Sequence, residues 1–314
     1  MLNHLKFVGL LLCISIPLMF FAFNRSAENM HAISRGNFFF EKTRQNNDIK
    51  SITLRFANGQ IITFVQKGNF WHIKEADDYY ASFAKLNTLV KLIRDAVIYR
   101  ADLLSKKEIE KYTGNGLYMQ IKDSNEQIID DAFIMSKTEN NKLHYATLNH
   151  DNFLYQITQD FELSSYPMDW VQMPLLAIAY DQIKFLKTDN FKVYRSYDVE
   201  PLKSMETDIE VPQIRSLVNN FWYLSASDIK HAVHFNRDKY KLIKTFEIST
   251  LNGLIYTITI FSGNNEYWFN IQLDHDQILS AQSMRLLEEN VMLYDGWFFK
   301  IKNDLAEAII HFVL

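Results

Sequence analysis

The chain has 314 residues, 48% hydrophobic and 22% charged, a balance that excludes an intrinsically disordered protein. Its net charge of −4 comes from a mixed distribution with no clustered basic stretch, so no nucleic-acid partner is expected. The one cysteine, Cys13, lies in an apolar N-terminal run, leaving the body of the chain without a thiol for a disulfide, a zinc site or nucleophilic attack.

That run, Leu5 to Phe23, carries a single charge at Lys6. As a helix at ~1.5 Å per residue it would reach about 28 Å, close to the ~30 Å hydrocarbon core of a bilayer. Phe21, Phe23, Asn24 and Arg25 occupy the region where a signal peptide needs small residues, which favours an uncleaved anchor. Leu12 likewise stands before Cys13 where a lipoprotein site needs a small residue. Counting Arg25, Arg35, Lys42 and Arg44 against Lys6 would keep the C-terminal domain cytoplasmic, but long domains translocate largely regardless of charge. The expectation is a single-pass inner-membrane protein with its large domain extracytoplasmic. Residues 1–24 would form the anchor and 25–48 a linker, with Phe38-Phe39-Phe40 tucking that linker onto the domain.

From Ser51 the pattern alternates: Ile52, Leu54 and Phe56 share a face, Asn58-Gly59 signals a hairpin, and Ile61, Ile62, Phe64 and Val65 return. Lys67-Gly68-Asn69 turns again into Phe70-Trp71-His72-Ile73. Phe83, Leu86, Val90, Ile93 and Val97 then form an apolar stripe at helical spacing, with Ser82 as N-cap. Ser105 to Glu108 has the form of a capping box opening a short helix to Tyr112. Four strands, Leu117 to Lys122, Gln127 to Met135, Leu143 to Leu148 and Phe153 to Thr158, follow with turns too short for parallel crossovers.

A second round begins at Asp181-Gln182-Ile183-Lys184, echoing Asp48-Ile49-Lys50. It has strands near Phe191 to Tyr197 and a helix from Pro212 through Leu224 with Ile214, Leu217, Val218 and Phe221 inward. The exit from that helix, Ser225 to Phe235, parallels the exit of the first helix. Lys244 to Leu251, Leu254 to Phe261 and Glu266 to Leu273 make a meander, then a helix runs from Asp276 to Asn290. Gly296 to Ile301 is a last strand, and Asp304 caps a final helix. The expected fold is α+β: a transmembrane helix, then mostly antiparallel sheets each packed against amphipathic helices, in two tandem similar modules at 49–180 and 181–314.

This order of features resembles a family known as domain of unknown function (DUF) 4340. The resemblance rests on the anchor, Ile52 to Trp71, the Phe83 to Val97 helix, the connector Trp170, Leu175-Leu176, Ile178 and Ile183, then Trp222-Tyr223-Leu224 and the closing Gly296 to Ile301. Here Tyr112-Thr113-Gly114 and Gly116-Leu117-Tyr118 stand where the family has a Tyr-Gly-Leu turn. The resemblance implies an envelope protein, in some members an auxiliary part of ABC-transporter or gliding-motility systems, with no active site to carry over.

The residues themselves give no catalytic, cofactor-binding or metal site. No zinc-protease His pair, nucleophile elbow, phosphate loop or dinucleotide fingerprint occurs in the sequence. Asp123-Ser124-Asn125-Glu126 reads as a hairpin turn rather than a calcium loop, and Asp274-His275-Asp276 as a solvated helix entry. His144 and His150 straddle a strand end, and His231 with His234 are expected on opposite faces, as are the paired carboxylates Asp77-Asp78 and Asp130-Asp131. Trp71, Trp170, Trp222 and Trp297 sit beside apolar alternation and are expected in the core. The function expected is non-enzymatic: a binding or accessory component of a membrane complex. The alternative is an envelope hydrolase acting on glycan or peptide.

Overall fold

A computed structural model describes residues 36–105, 107, 116–135, 144–149, 151–198, 200–204, 210–276 and 280–312. The chain divides into two compact units and passes between them more than once. One holds the described residues up to Val65 together with Ala84–Ser165, the other Gln66–Phe83 with Tyr166–Leu314. The short helix expected at Ser105 to Tyr112 lies outside the described residues.

The first sheet begins with the hairpin of β1 (Ser51–Phe56) and β2 (Ile61–Lys67), which pairs Ile52 with Phe64 and Leu54 with Ile62. Gly59 closes it at φ +82°, a conformation that residues with a Cβ resist. β3 (Phe70–Ile73) and β4 (Tyr79–Tyr80) follow, then helix α2 (Phe83–Arg94), counted after the short α1 (Glu41–Gln45). Next come β5 (Ile98–Leu103) and the meander β6 (Gly116–Lys122), β7 (Ile128–Met135), β8 (His144–Leu148) and β9 (Phe153–Ile157). The strands lie in the order β4-β3-β2-β1-β6-β7-β8-β9-β5. In the first unit the buried faces of Ile52, Leu54, Ile62, Phe64, Met119 and Ile121 form one continuous apolar layer. Helix α2 buries Leu86, Leu89 and Ile93, while Phe83, expected on the same stripe, is 80% exposed. Phe39 and Phe40 are buried beside Tyr155 and Phe161, as the linker triplet suggested.

The second sheet starts with the hairpin β10 (Ile183–Thr188) and β11 (Phe191–Tyr194), then β12 (Lys203–Ser204). Helix α3 (Val211–Trp222) follows, entered through a reciprocal cap between Glu210 and Gln213 with proline in its first turn. β13 (Asp228–His231) leads to β14 (Lys241–Thr250), β15 (Leu254–Gly263) and β16 (Glu266–His275). Helix α4 (Ala281–Tyr294), β17 (Trp297–Ile301) and α5 (Asn303–Ile310) complete it. The strand order is β12-β11-β10-β14-β15-β16-β17-β13. One face buries Phe246, Ile258, Ile260, Phe269 and Phe299, with Phe221 of α3 stacked edge-on to Phe246 at 5.1 Å. The other face carries a smaller aromatic group, in which Phe235 stacks on Phe298 at 3.9 Å and on Tyr240 at 4.9 Å, beside Phe261 and Trp268.

The two sheets share one connectivity. In each, a hairpin precedes the outer strands (β3 and β4 in the first, β12 in the second) and a helix; the chain then crosses to the far edge and fills the gap with a four-strand antiparallel meander. Thus β5 pairs with β9, and β13 with β17, both antiparallel. The copies differ most at one place. β8 joins β9 through residues 149–152, whereas β16 joins β17 through residues 276–296, which include α4.

Two expectations are corrected. The fold is mainly β, two antiparallel sheets with few helices among the described residues, rather than α+β. Propensity over-weighted the helices because amphipathic stripes such as that of α2 stand out in sequence, while most of the chain pairs as strands. The single-pass helix and the inner-membrane location likewise find no support in the structure. Among the described residues no helix is long and apolar enough to cross a membrane. The longest, α4, has 14 residues and reaches about 21 Å at ~1.5 Å per residue. The stretch expected as anchor, Leu5 to Phe23, lies outside the described residues.

Candidate functional site

The insertion between β16 and β17 builds a pocket within the second unit. Ser280 starts α4 by accepting the Ser283 N–H at 3.1 Å, an ordinary N-cap. The inward stripe of α4, Ser283, Leu286, Leu287, Asn290, Val291 and Tyr294, is mostly half-buried: only Ser283 and Tyr294 are buried, while Met284 and Met292 face solvent. The helix therefore rests lightly on β16 and is pinned at its C-terminal end. There the Tyr294 hydroxyl donates to the Leu175 carbonyl at 2.7 Å, and the Tyr79 hydroxyl donates to the Leu293 carbonyl at 2.9 Å. Anchored at one end and thinly packed along its length, α4 leaves a space of about 450 Å³. That volume falls within the range typical of small-molecule sites, ~300–1,000 Å³.

Strand β15 supplies Leu254 and Tyr256, helix α4 supplies Leu286, Asn290 and Tyr294, and the approach to β10 supplies Ile178, Asp181 and Gln182. Tyr256 is only 8% exposed, its ring 6.2 Å from that of Tyr294 and nearly perpendicular to it. Burial raises the pKa of both phenols, so both stay neutral at physiological pH. The Tyr294 hydroxyl is committed to Leu175, but that of Tyr256 has no partner among the described residues.

The amides of the lining are each half-committed. Gln182 accepts the Ala179 N–H through Oε1 at 3.0 Å and the Leu251 N–H through its carbonyl at 2.8 Å, leaving its side-chain NH2 unused. Asn290 donates to the Leu286 carbonyl at 2.7 Å, leaving its Oδ1 unused. Asn252 is tied through Oδ1 to the Thr250 hydroxyl. Asp181 forms no ion pair among the described residues. The arrangement can recognise a ligand by shape, by two aromatic rings and by a few directed polar contacts.

The other residues weighed from sequence fall elsewhere. Asp274, His275 and Asp276 are exposed, with Nδ1 of His275 held by the Asp276 carbonyl at 2.6 Å. Asp123 Oδ1 accepts the N–H groups of Asn125 and Gln127, closing the β6–β7 turn. Asp130 is buried and accepts both the N–H and the hydroxyl of Thr43, while Asp131 accepts from Tyr118 and Asn149, so the pair points to opposite sides. Buried His144 has Nδ1 2.9 Å from the Met135 carbonyl and Nε2 3.0 Å from Asp160, both nitrogens spent on structure. His150 lies outside the described residues. Among the described residues no three His, Cys, Asp or Glu side chains are grouped to hold a metal.

His231 and His234 present different groups to Asp77 of the same unit: its carboxylate accepts the backbone N–H of His231 at 2.7 Å and contacts the ring Nδ1 of His234 at 2.7 Å, while the His231 ring packs on Trp297 at 4.8 Å. Asp77 and Asp78 are not strand neighbours but sit consecutively in the left-handed region, at φ 58° and 63°. That turn aims Asp77 at the histidines. Trp170 and Trp297 are buried, yet Trp71 and Trp222 are only half-buried, and the most enclosed tryptophan is Trp268, 1% exposed. Sequence reasoning missed the pocket because its walls come from segments far apart in the chain. The one local signal was the long connection between β16 and β17.

Comparison with family models, curated proteins and solved structures found no match.

Proposed function

We propose that this protein is a non-catalytic binding protein that takes a small ligand in the pocket beneath α4. The observation that carries the reading is the space of about 450 Å³ itself, walled by the rings of Tyr256 and Tyr294 and by Ile178, Leu254 and Leu286. The groups around it are amides, phenols and one carboxylate set in an apolar frame, a composition suited to recognition. The order of features that resembles the family named above points to the same kind of role, binding or accessory rather than catalytic.

The test is ligand-observed NMR of the full-length protein against a library of small aromatic fragments, repeated with Leu286→Trp, which fills the pocket from α4. The expected result is a set of binders lost in the variant. An absence of binders, or binders indifferent to Leu286→Trp, overturns the reading.

A further inference from the structure

Resting on that reading, we infer that the pocket selects an organic cation: a ligand with an apolar or aromatic body and one ammonium group. Among the described residues that line it, Asp181 is the one charged side chain and there is no lysine, arginine or histidine. Arg285 of α4 is exposed and outside the lining, and three other cations of the neighbouring elements are engaged. Lys184 pairs with Asp276 at 3.5 Å, Arg195 donates to the Tyr180 and Asp198 carbonyls, and Arg215 lies over the Tyr180 ring at 4.6 Å. An anion entering the pocket would meet a carboxylate and no counter-charge, whereas a cation meets one opposite charge.

The aromatic groups favour the same sign. Tyr256 and Tyr294 both line the space and meet at 73°, edge to face. The face of a neutral phenol attracts an ammonium group, by ~0.5–2 kcal/mol. The remaining acceptors, the free Oδ1 of Asn290 and the Tyr256 hydroxyl oxygen, suit the N–H groups of an ammonium, which only donates. The apolar body would lie against Ile178, Leu254 and Leu286.

The experiment is calorimetric titration of the full-length protein with three probes of matched shape: tryptamine, a cation; tryptophol, neutral; and indolepropionate, an anion. Tryptamine is expected to bind about tenfold more tightly than tryptophol, with indolepropionate weakest, from the summed cation–π and exposed ion-pair contributions. Asp181→Asn is expected to weaken tryptamine about threefold and leave tryptophol unchanged, and Tyr256→Phe to weaken both. Equal affinity for tryptamine and tryptophol, or a tryptamine affinity indifferent to Asp181→Asn, overturns the cation inference while leaving a binding pocket. Failure of all three probes to bind, or binding unaffected by both Leu286→Trp and Tyr256→Phe, overturns the pocket reading itself.

Discussion

The two sheets follow one path through space with different investments in length and decoration. In the first, β8 and β9 have five residues each and meet through a tight turn. In the second, β14, β15 and β16 have ten residues each, and the corresponding connection swells into α4. The shared part is what a hairpin-and-meander sheet needs to bury one face. The added part is poorly packed by the standards of a core helix, and it is the part that encloses a cavity. Where one copy of a connectivity carries a loosely held insertion and the other closes economically, the insertion is the place to look for function, because packing alone does not require it.

That comparison can be broken at several points. The largest effect is expected from Trp268→Ala in the aromatic face of the second sheet, a loss of about 3–5 kcal/mol. In chemical denaturation, Trp71→Ala, removing a half-buried ring, should cost clearly less; an equal loss would show that burial does not rank these sites. Leu54 in β1 and Leu186 in β10 hold corresponding places in the two hairpins and are both fully buried. Their alanine variants should each lose about 2–4 kcal/mol, read as shifts of the urea midpoint. A loss confined to one of them would mean that the two copies do not share the same energetic plan.

Gly116→Ala and Gly263→Ala come next, at about 1–3 kcal/mol each. A Cβ at Gly116 would run into the Ile134 carbonyl, and one at Gly263 into the Lys239 carbonyl, backbone atoms that cannot swing aside. Wild-type melting temperatures in both variants would show that the strands yield locally. Asp77→Ala should cost about 1–2 kcal/mol by leaving the His231 N–H without its acceptor, and faster amide exchange at His231 would report it.

The smallest effect is a pH dependence confined to the second sheet. The Lys300 ammonium, 2.6 Å from Glu266, together with donors from Trp268 and Tyr240, holds the Glu266 carboxyl below its ordinary value of 4.5. A carboxyl depressed in the folded state stabilises fully above its unfolded pKa, and the contribution is lost as pH falls through the folded value. The difference in melting temperature between wild type and Glu266→Gln should therefore be present at neutral pH and vanish on acidification below about 4. With both side chains about a third exposed, 32% and 30%, it amounts to less than about 1 kcal/mol. A difference that grows in acid would rule out the Lys300–Glu266 pair as its source.

Much of the local structure was legible from the sequence. Alternating apolar residues and the Asn58-Gly59 and Asn252-Gly253 turns marked the hairpins, because a two-residue period buries one face and those pairs tolerate positive φ. The stripe at Ile214, Leu217, Val218 and Phe221 marked α3. The echo of the first round in the second was visible as a repeated order of elements. Phe83 was misplaced because periodicity gives the angle around a helix and not where the sheet ends beneath it. The contact of Asp77 with the His231–His234 turn was not legible, because Asp77 is 154 residues from His231 and no local rule joins them.

The chain alone therefore determined which segments pair as strands and where they turn, since side-chain period and turn chemistry act between near neighbours. Only the tertiary structure decided the strand order, the interleaving of the two units, and the space under α4. Those depend on which apolar faces meet across long separations, and the pocket depends on an incomplete meeting: Tyr294 ties down one end of a helix whose remaining surface has too little to bury.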